Sequence, residues 1–263
     1  MRNESNASKE LIAAVNKPGD LAEAVRHALS KGASTEYLVA GETAIMTAAR
    51  LGHAKCMQVL LDAGANADAE ARSMTALMKA VAHDKLECVR LLLDAGASIN
   101  HANAAGVTAL MVAARTGTTA CLRALLDTGV VLDASTAEGW TAAMYAAWEG
   151  LVPCLKLLID AGANINAASI RGWTPLVAAV YGGAAENVRL LIQSGADIQK
   201  RDNENRTAYD VAVASGKYDF ANVLKGSKAG KESSHAVDHA SSATATATPK
   251  TKAKAKAKAK GMF

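Results

Sequence analysis

The chain has 263 residues, of which 50% are hydrophobic but only 4% aromatic, so its apolar content is mostly Ala, Leu and Val, a mixture suited to closely stacked helices. No apolar run reaches the length of about 18 residues that a membrane-spanning helix needs. The formal net charge of +4 is unevenly placed: from Lys225 onward nine Lys oppose only Glu232 and Asp238, a surplus of +7, which leaves −3 on residues 1–224.

In chain order, residues 1–8 are polar and are expected as a flexible N-terminus, without the apolar core of a signal peptide. Residues 9–34 carry two helix signals. A Thr then recurs at Thr43, Thr75, Thr108, Thr141, Thr174 and Thr207, with a spacing that is constant after the first interval, itself shorter by one. Glycines keep the same beat at Gly32, Gly64, Gly96, Gly129, Gly162 and Gly195. Between each Thr and the next of these glycines lie two short helix signals, first Thr43 to Gly52 and then His53 to Gly64 in the first full copy. Self-similarity at this period marks stacked repeats, in which one helix pair cannot bury both its faces and the stack shares a core.

Each recurring residue has a local role. Thr is a good N-cap, because its hydroxyl accepts a bond from an orphan N–H of the first helical turn. Pro is favoured just after such a cap, as in Thr174-Pro175. Paired small residues (Ala48-Ala49, Ala113-Ala114, Ala146-Ala147) let helices approach, and Leu pairs (Leu60-Leu61, Leu92-Leu93, Leu125-Leu126, Leu157-Leu158) supply a buried stripe. The closing Gly can take the left-handed conformation that ends a helix. The copy beginning at Thr75 is the least regular: Ser73 stands where most copies have Gly, and Asp84 replaces the glycine between the two helices.

This pattern resembles the ankyrin repeat, whose motif begins Thr-Pro-Leu-His, over roughly residues 9–224. The family's His is replaced by Met46, Met78, Met111 and Met144, then by Val177 and Asp210. The resemblance implies an all-α solenoid of about seven helix–turn–helix repeats with β-hairpin-like finger loops. Its caps would lie at about 9–34 and 203–224. It also implies a scaffold or adaptor that binds another protein on its concave face, and no enzyme. In such proteins the loop Asn, here Asn100 and Asn166, is a place of hydroxylation; the alternative is that these amides serve the turn by hydrogen bonding.

Catalytic and metal chemistry find little support. Cys56, Cys88, Cys121 and Cys154 share one register, each the same number of places after its copy's Thr. Equivalent atoms of adjacent repeats should lie about 8–10 Å apart, too far for a disulfide, which needs Cα atoms within about 7 Å, or for convergence on one zinc ion. The cysteines are expected as small apolar core residues in a reducing compartment, cytoplasm or nucleus. His235 and His239 are spaced to share a helix face but sit in low-complexity sequence. No CxxC, HExxH, Walker or GxGxxG motif is present. No cofactor, metal or small-molecule substrate is expected, and the protein is expected to be monomeric.

The positions that vary between copies are the candidates for recognition. The residue before Thr reads Glu42, Met74, Val107, Trp140, Trp173 and Arg206. The residue seven after Thr reads Arg50, Ala82, Arg115, Trp148, Tyr181 and Ala214, and the next reads Leu51, His83, Thr116, Glu149, Gly182 and Ser215. All three Trp fall on these sites, in two adjacent copies, with Tyr181 beside them. Clustered exposed aromatics mark binding patches and dominate interface energetics. Trp140, Trp148, Trp173 and Tyr181 are therefore the expected partner-binding residues, with Glu138, Glu149 and Arg171 as a charged rim. The alternative is that Trp140 and Trp173 stack along the finger loops and brace them.

From 225 to 263 the pattern stops. Ser, Ala, Thr, Gly and Lys dominate, and a disordered basic tail is expected. Lys250, Lys252, Lys254, Lys256, Lys258 and Lys260 alternate with small residues, a composition that attracts polyanions such as nucleic acid, acidic tubulin tails or anionic membrane. A polyanion-anchored factor acting through this tail is the alternative function; a solvated tail with no dedicated partner is the other reading.

Overall fold

A computed structural model describes residues 2–19 and 21–226. The lysine-rich segment from Lys250 to Lys260 and the pair His235 and His239 lie outside the described residues. The chain divides into two compact units, residues 1–131 and 132–263.

In the first unit, α1 (Arg2–Asn16), α3 (Ala44–Leu51), α5 (Ala76–Ala82) and α7 (Ala109–Thr116) pack successively in one row. A second row holds α2 (Ala22–Ser30), α4 (Ala54–Asp62), α6 (Leu86–Asp94) and α8 (Thr119–Leu126). The second unit repeats the plan, with α9 (Ala142–Glu149), α11 (Pro175–Gly182) and α13 (Ala208–Ala214) in one row and α10 (Val152–Asp160), α12 (Ala185–Gln193) and α14 (Tyr218–Gly226) in the other. The N-terminus differs from expectation: α1 begins at Arg2, and Ala7 and Ser8 are buried, so the expected flexible segment 1–8 is largely helix. Ser8 explains this locally, since its hydroxyl accepts a bond from Ser34 N at 2.9 Å and ties α1 to the chain after α2.

The recurring residues act as the sequence suggests, with two refinements. Thr75, Thr108, Thr141, Thr174 and Thr207 cap their helices through the side chain, whereas Thr43 makes no such bond and its buried hydroxyl has no partner. At Thr207 the cap is reciprocal: Asp210, at the family's His position, accepts from Thr207 N at 2.8 Å. Of each Leu pair only one member is fully buried (Leu60, Leu92, Leu125, Leu158), because neighbours on a helix point about 100° apart. The paired alanines are sealed, as are Met46, Met78, Met111 and Met144.

Among the described residues one finger loop forms a short hairpin and the loop before it a single antiparallel bridge, Val39 opposite Glu42. In the hairpin, β1 (Glu70–Ala71) pairs antiparallel with β2 (Met74–Thr75), Glu70 opposite Thr75 and Ala71 opposite Met74. Its turn is held by two residues in the left-handed region, Arg72 (φ 52°) and Ser73 (φ 60°), and Asp84 follows in the same region (φ 53°). Ser73 and Asp84 are the irregular positions noted in the sequence, Arg72 is not, and non-glycine residues in this region carry a conformational cost of about 1 kcal/mol. No helix among the described residues is long and apolar enough to cross a membrane.

Candidate functional site

The aromatic residues meet in the second unit. Trp140 and Trp173 each stand immediately before a helix, at the base of a finger loop, and the loop fixes them through backbone bonds. Trp140 N donates to Thr136 Oγ1 at 3.1 Å while Thr136 N donates to Trp140 O at 3.0 Å. Ser169 holds Trp173 in the same way, at 3.1 and 2.9 Å, and Asp202 holds Arg206 at 2.9 Å in both directions. Thr136, Ser169 and Asp202 are buried and share one register, five places before each capping Thr. That recurrence is in the sequence, but nothing in the residue types marks the bond. Consecutive loops are also tied together: Ile170 N donates to Glu138 O at 3.1 Å, and Asn203 N to Arg171 O at 3.1 Å.

The side chains then pack into one cluster. Trp173 and Tyr181 stack with ring centroids 4.4 Å apart and 21° between planes. Trp148 lies nearly parallel to Trp173 at 6.2 Å, and Trp140 meets Trp148 edge-on at 5.6 Å and Tyr145 at 5.1 Å with 45° between planes. Trp140, Trp173 and Tyr181 remain half-buried. Trp148 does not: it is 3% exposed, contrary to its expected place on the open surface. The cause is Gly182, the last residue of α11. A Cβ there would stand 2.0 Å from Trp148 O, so its absence lets α11 close onto α9. Rings from the neighbouring positions then cover the indole. Trp148 Nε1 is left buried with no hydrogen-bond partner. Trp148 is thus the floor of the cluster, on which Trp140 and Trp173 pack.

Arg171 is exposed, with its guanidinium 5.9 Å from the centre of the Trp173 ring. Glu138 and Glu149 are half-buried beside Trp140 and Trp148 in the chain, and no bond joins them to Arg171. Arg206 instead pairs with Asp202 (2.7 Å) and Glu204 (2.7 Å). Burial pushes the Tyr181 hydroxyl above the ordinary tyrosine value, opposed by the Arg206 charge and reinforced by Glu204 and Asp202.

A second set of contacts escaped the sequence reading. The last carbonyls of a helix lack intrahelical partners, and here the following copy supplies them. His53 Nδ1 lies 2.9 Å from Val15 O, and Lys217 Nζ donates to Tyr181 O at 2.9 Å and to Val180 O. The cysteines are buried free thiols, as the packing argument expects, and Cys121 Sγ lies 3.4 Å from Asp84 Oδ1. Asn100 and Asn166 spend their side-chain oxygens on the next loop, accepting from Val131 N and Asp197 N at 2.8 Å each. Among the described residues no three potential metal ligands converge.

A family model described as ankyrin repeats (3 copies) matches residues 11–103, 99–169 and 166–234. No curated protein matches the chain.

Proposed function

The chain belongs to the ankyrin repeat family, whose members are in general protein–protein interaction modules and typically not catalysts, and from that premise we propose that it binds a partner protein through the ledge formed by Trp140, Trp173 and Tyr181. One observation carries the reading: three large rings, packed on the buried Trp148, keep part of their surface open. Rings held by loop hydrogen bonds and by one another lose little entropy on binding, which is the property of interface anchors. Arg171, with its guanidinium 5.9 Å from the Trp173 ring centre, and Glu138 and Glu149, two positions before Trp140 and next after Trp148 in the chain, would give a partner polar groups to read. The ledge occupies the positions expected to form the concave face. The tail lysines lie outside the described residues and carry no part of this proposal. Four buried free thiols accord with a reducing compartment, cytoplasm or nucleus.

The test uses the full chain with a photo-crosslinker at Arg171, beside the ledge, or at Lys156, on the exposed side of α10. The ledge probe should capture a partner that the α10 probe does not. The Trp140→Ala/Trp173→Ala double variant should bind that partner at least about 2 kcal/mol more weakly. Equal capture from both probes, or undiminished binding by the double variant, would remove the ledge from recognition.

A further inference from the structure

The first unit carries a different surface at the same kind of position. Where the second unit has Trp148 and Tyr181, seven places after Thr, the first has Arg50 and Arg115, and His83 follows one place later. Arg50 closes α3, Lys79 lies in the last turn of α5, and His83 ends that helix. One carboxylate serves this group. Glu42 accepts from Lys79 Nζ at 2.9 Å and from Arg50 Nε at 3.4 Å, and its side chain is only 17% exposed.

Lys85 adds a further charge. Its aliphatic stem lies over Gly52, in the turn after Arg50, where a Cβ would stand 2.7 Å from Lys85 Cδ. The missing side chain at Gly52 therefore draws the Lys85 stem onto the α3 side of the cluster. Lys217, at the equivalent place in the second unit, spends its ammonium on two helix carbonyls. The Lys85 ammonium makes no ion pair or hydrogen bond with the described residues. Asp84, its neighbour, turns its carboxylate to the Cys121 thiol. His83 registers the imbalance: it is held below the ordinary histidine value by burial and by the charges of Arg50, Lys79 and Lys85, with Glu42 opposing them.

We propose that Arg50, His83 and Lys85, backed by the Lys79–Glu42 pair, form a docking site for an acidic segment, a run of Asp or Glu on a partner protein. The positive surplus is built in, because the one carboxylate inside the cluster is shared between two cations and the third cation is positioned by packing. Carboxylates bound there would gain charge-assisted hydrogen bonds from a guanidinium and an ammonium whose stems are already fixed. This site shares no residue with the aromatic ledge and stands whether or not the ledge binds a partner.

The test titrates the full chain into a labelled peptide of alternating Glu and Ala, with a Gln–Ala peptide and a labelled DNA duplex as comparisons. Lys79 is left intact, because removing one member of a half-buried ion pair disturbs folding. The variants are Arg50→Gln/Lys85→Gln and, separately, the full chain with its six lysines from Lys250 to Lys260 changed to Gln. Helical content by circular dichroism checks that each variant is folded. The Glu–Ala peptide should bind, the Gln–Ala peptide should not, and Arg50→Gln/Lys85→Gln should weaken binding by about tenfold or more. The tail variant should retain most of it. Undiminished binding by Arg50→Gln/Lys85→Gln, or loss of binding in the tail variant alone, would overturn the proposal. So would a preference for the duplex that depends on Arg50 and Lys85.

Discussion

Asn187 Nδ2 donates to Ala146 O at 2.9 Å, reaching from the second helix of one copy to the end of the first helix in the copy before. The same amide reaches Ala147 O at 3.2 Å. Asn187 stands in its copy at the register that Cys occupies in the four preceding copies. Cys88 Sγ makes the corresponding, longer approach to Ala48 O at 3.9 Å. Ala146 O and Ala48 O also accept backbone N–H groups of the turns that follow α9 and α3, from Leu151 N and His53 N at 3.0 Å each, so these side chains add to bonds already made. Asn187 is fully buried, and its own carbonyl oxygen has no partner. Replacing it with Ala would remove both bonds and, at about 0.5–1.5 kcal/mol each, should cost about 1–3 kcal/mol. Asn187→Cys should cost less, because Cys removes the unsatisfied oxygen and matches the other rungs. Denaturant unfolding of both variants checks this; an Ala variant as stable as wild type would show the bonds to be idle.

Gly182→Ala should be disproportionately damaging for a single methyl. The added carbon would stand 2.0 Å from Trp148 O, so α9 and α11 would have to separate. Overpacking of this kind costs about 1–3 kcal/mol. All three Trp lie in the affected cluster, so tryptophan emission should shift red together with a lower thermal midpoint. A variant with native emission and stability would remove Gly182 as the cause of Trp148 burial.

Trp148 and Trp173 should separate stability from recognition. Trp148→Ala removes a buried side chain and should lower stability by about 3–5 kcal/mol. Trp173→Ala, acting on a half-buried ring, should cost less stability and more partner affinity. If thermal unfolding ranks the two variants the other way round, the division into floor and ledge is wrong.

The segment around the hairpin should be the weak point of the repeats. Arg72, Ser73 and Asp84 all sit at positive φ without being glycine. Amide hydrogen exchange should therefore be faster over 70–85 than over 140–165, and Ser73→Gly should narrow the difference. Equal protection in both stretches would argue that the left-handed residues are tolerated without cost.

Two titrations should move stability in opposite directions. Burial raises the Glu42 carboxyl, but Lys79 and Arg50 outweigh it and leave the group below its ordinary value of 4.5. The unfolded chain then binds the proton first, so this contribution is present above about pH 4.5 and is lost as pH falls through the folded value. Cys121 is pushed up to about 12 by burial and by Asp84. There the unfolded chain loses the proton first, so the contribution is complete below the ordinary value of 9.0 and fades as pH rises toward 12. Stability–pH curves of Glu42→Gln should flatten only the acid limb, and those of Cys121→Ala only the alkaline limb. Native alkylation of Cys121 near pH 8 should accordingly be slow.

The regular beat of the repeat, the capping Thr, the sealed Ala pairs and the buried cysteines were legible in the sequence because each follows from local periodicity and one residue's own chemistry. That the aromatic residues belong together was legible too, since equivalent positions of neighbouring copies must be neighbours in space. What the sequence could not decide was which of them would remain open. Trp148 and Tyr181 occupy equivalent positions, yet the missing side chain of Gly182 lets a helix close on the first, and the second stays half-exposed. Likewise Lys85 and Lys217 are equivalent by position, but the Lys217 ammonium is consumed by the carbonyls of the preceding helix, whereas the Lys85 stem lies over Gly52. Burial and pairing are properties of how two copies meet, set by gaps and orphan groups on the facing helix, and a single copy of the repeat contains only half of that information.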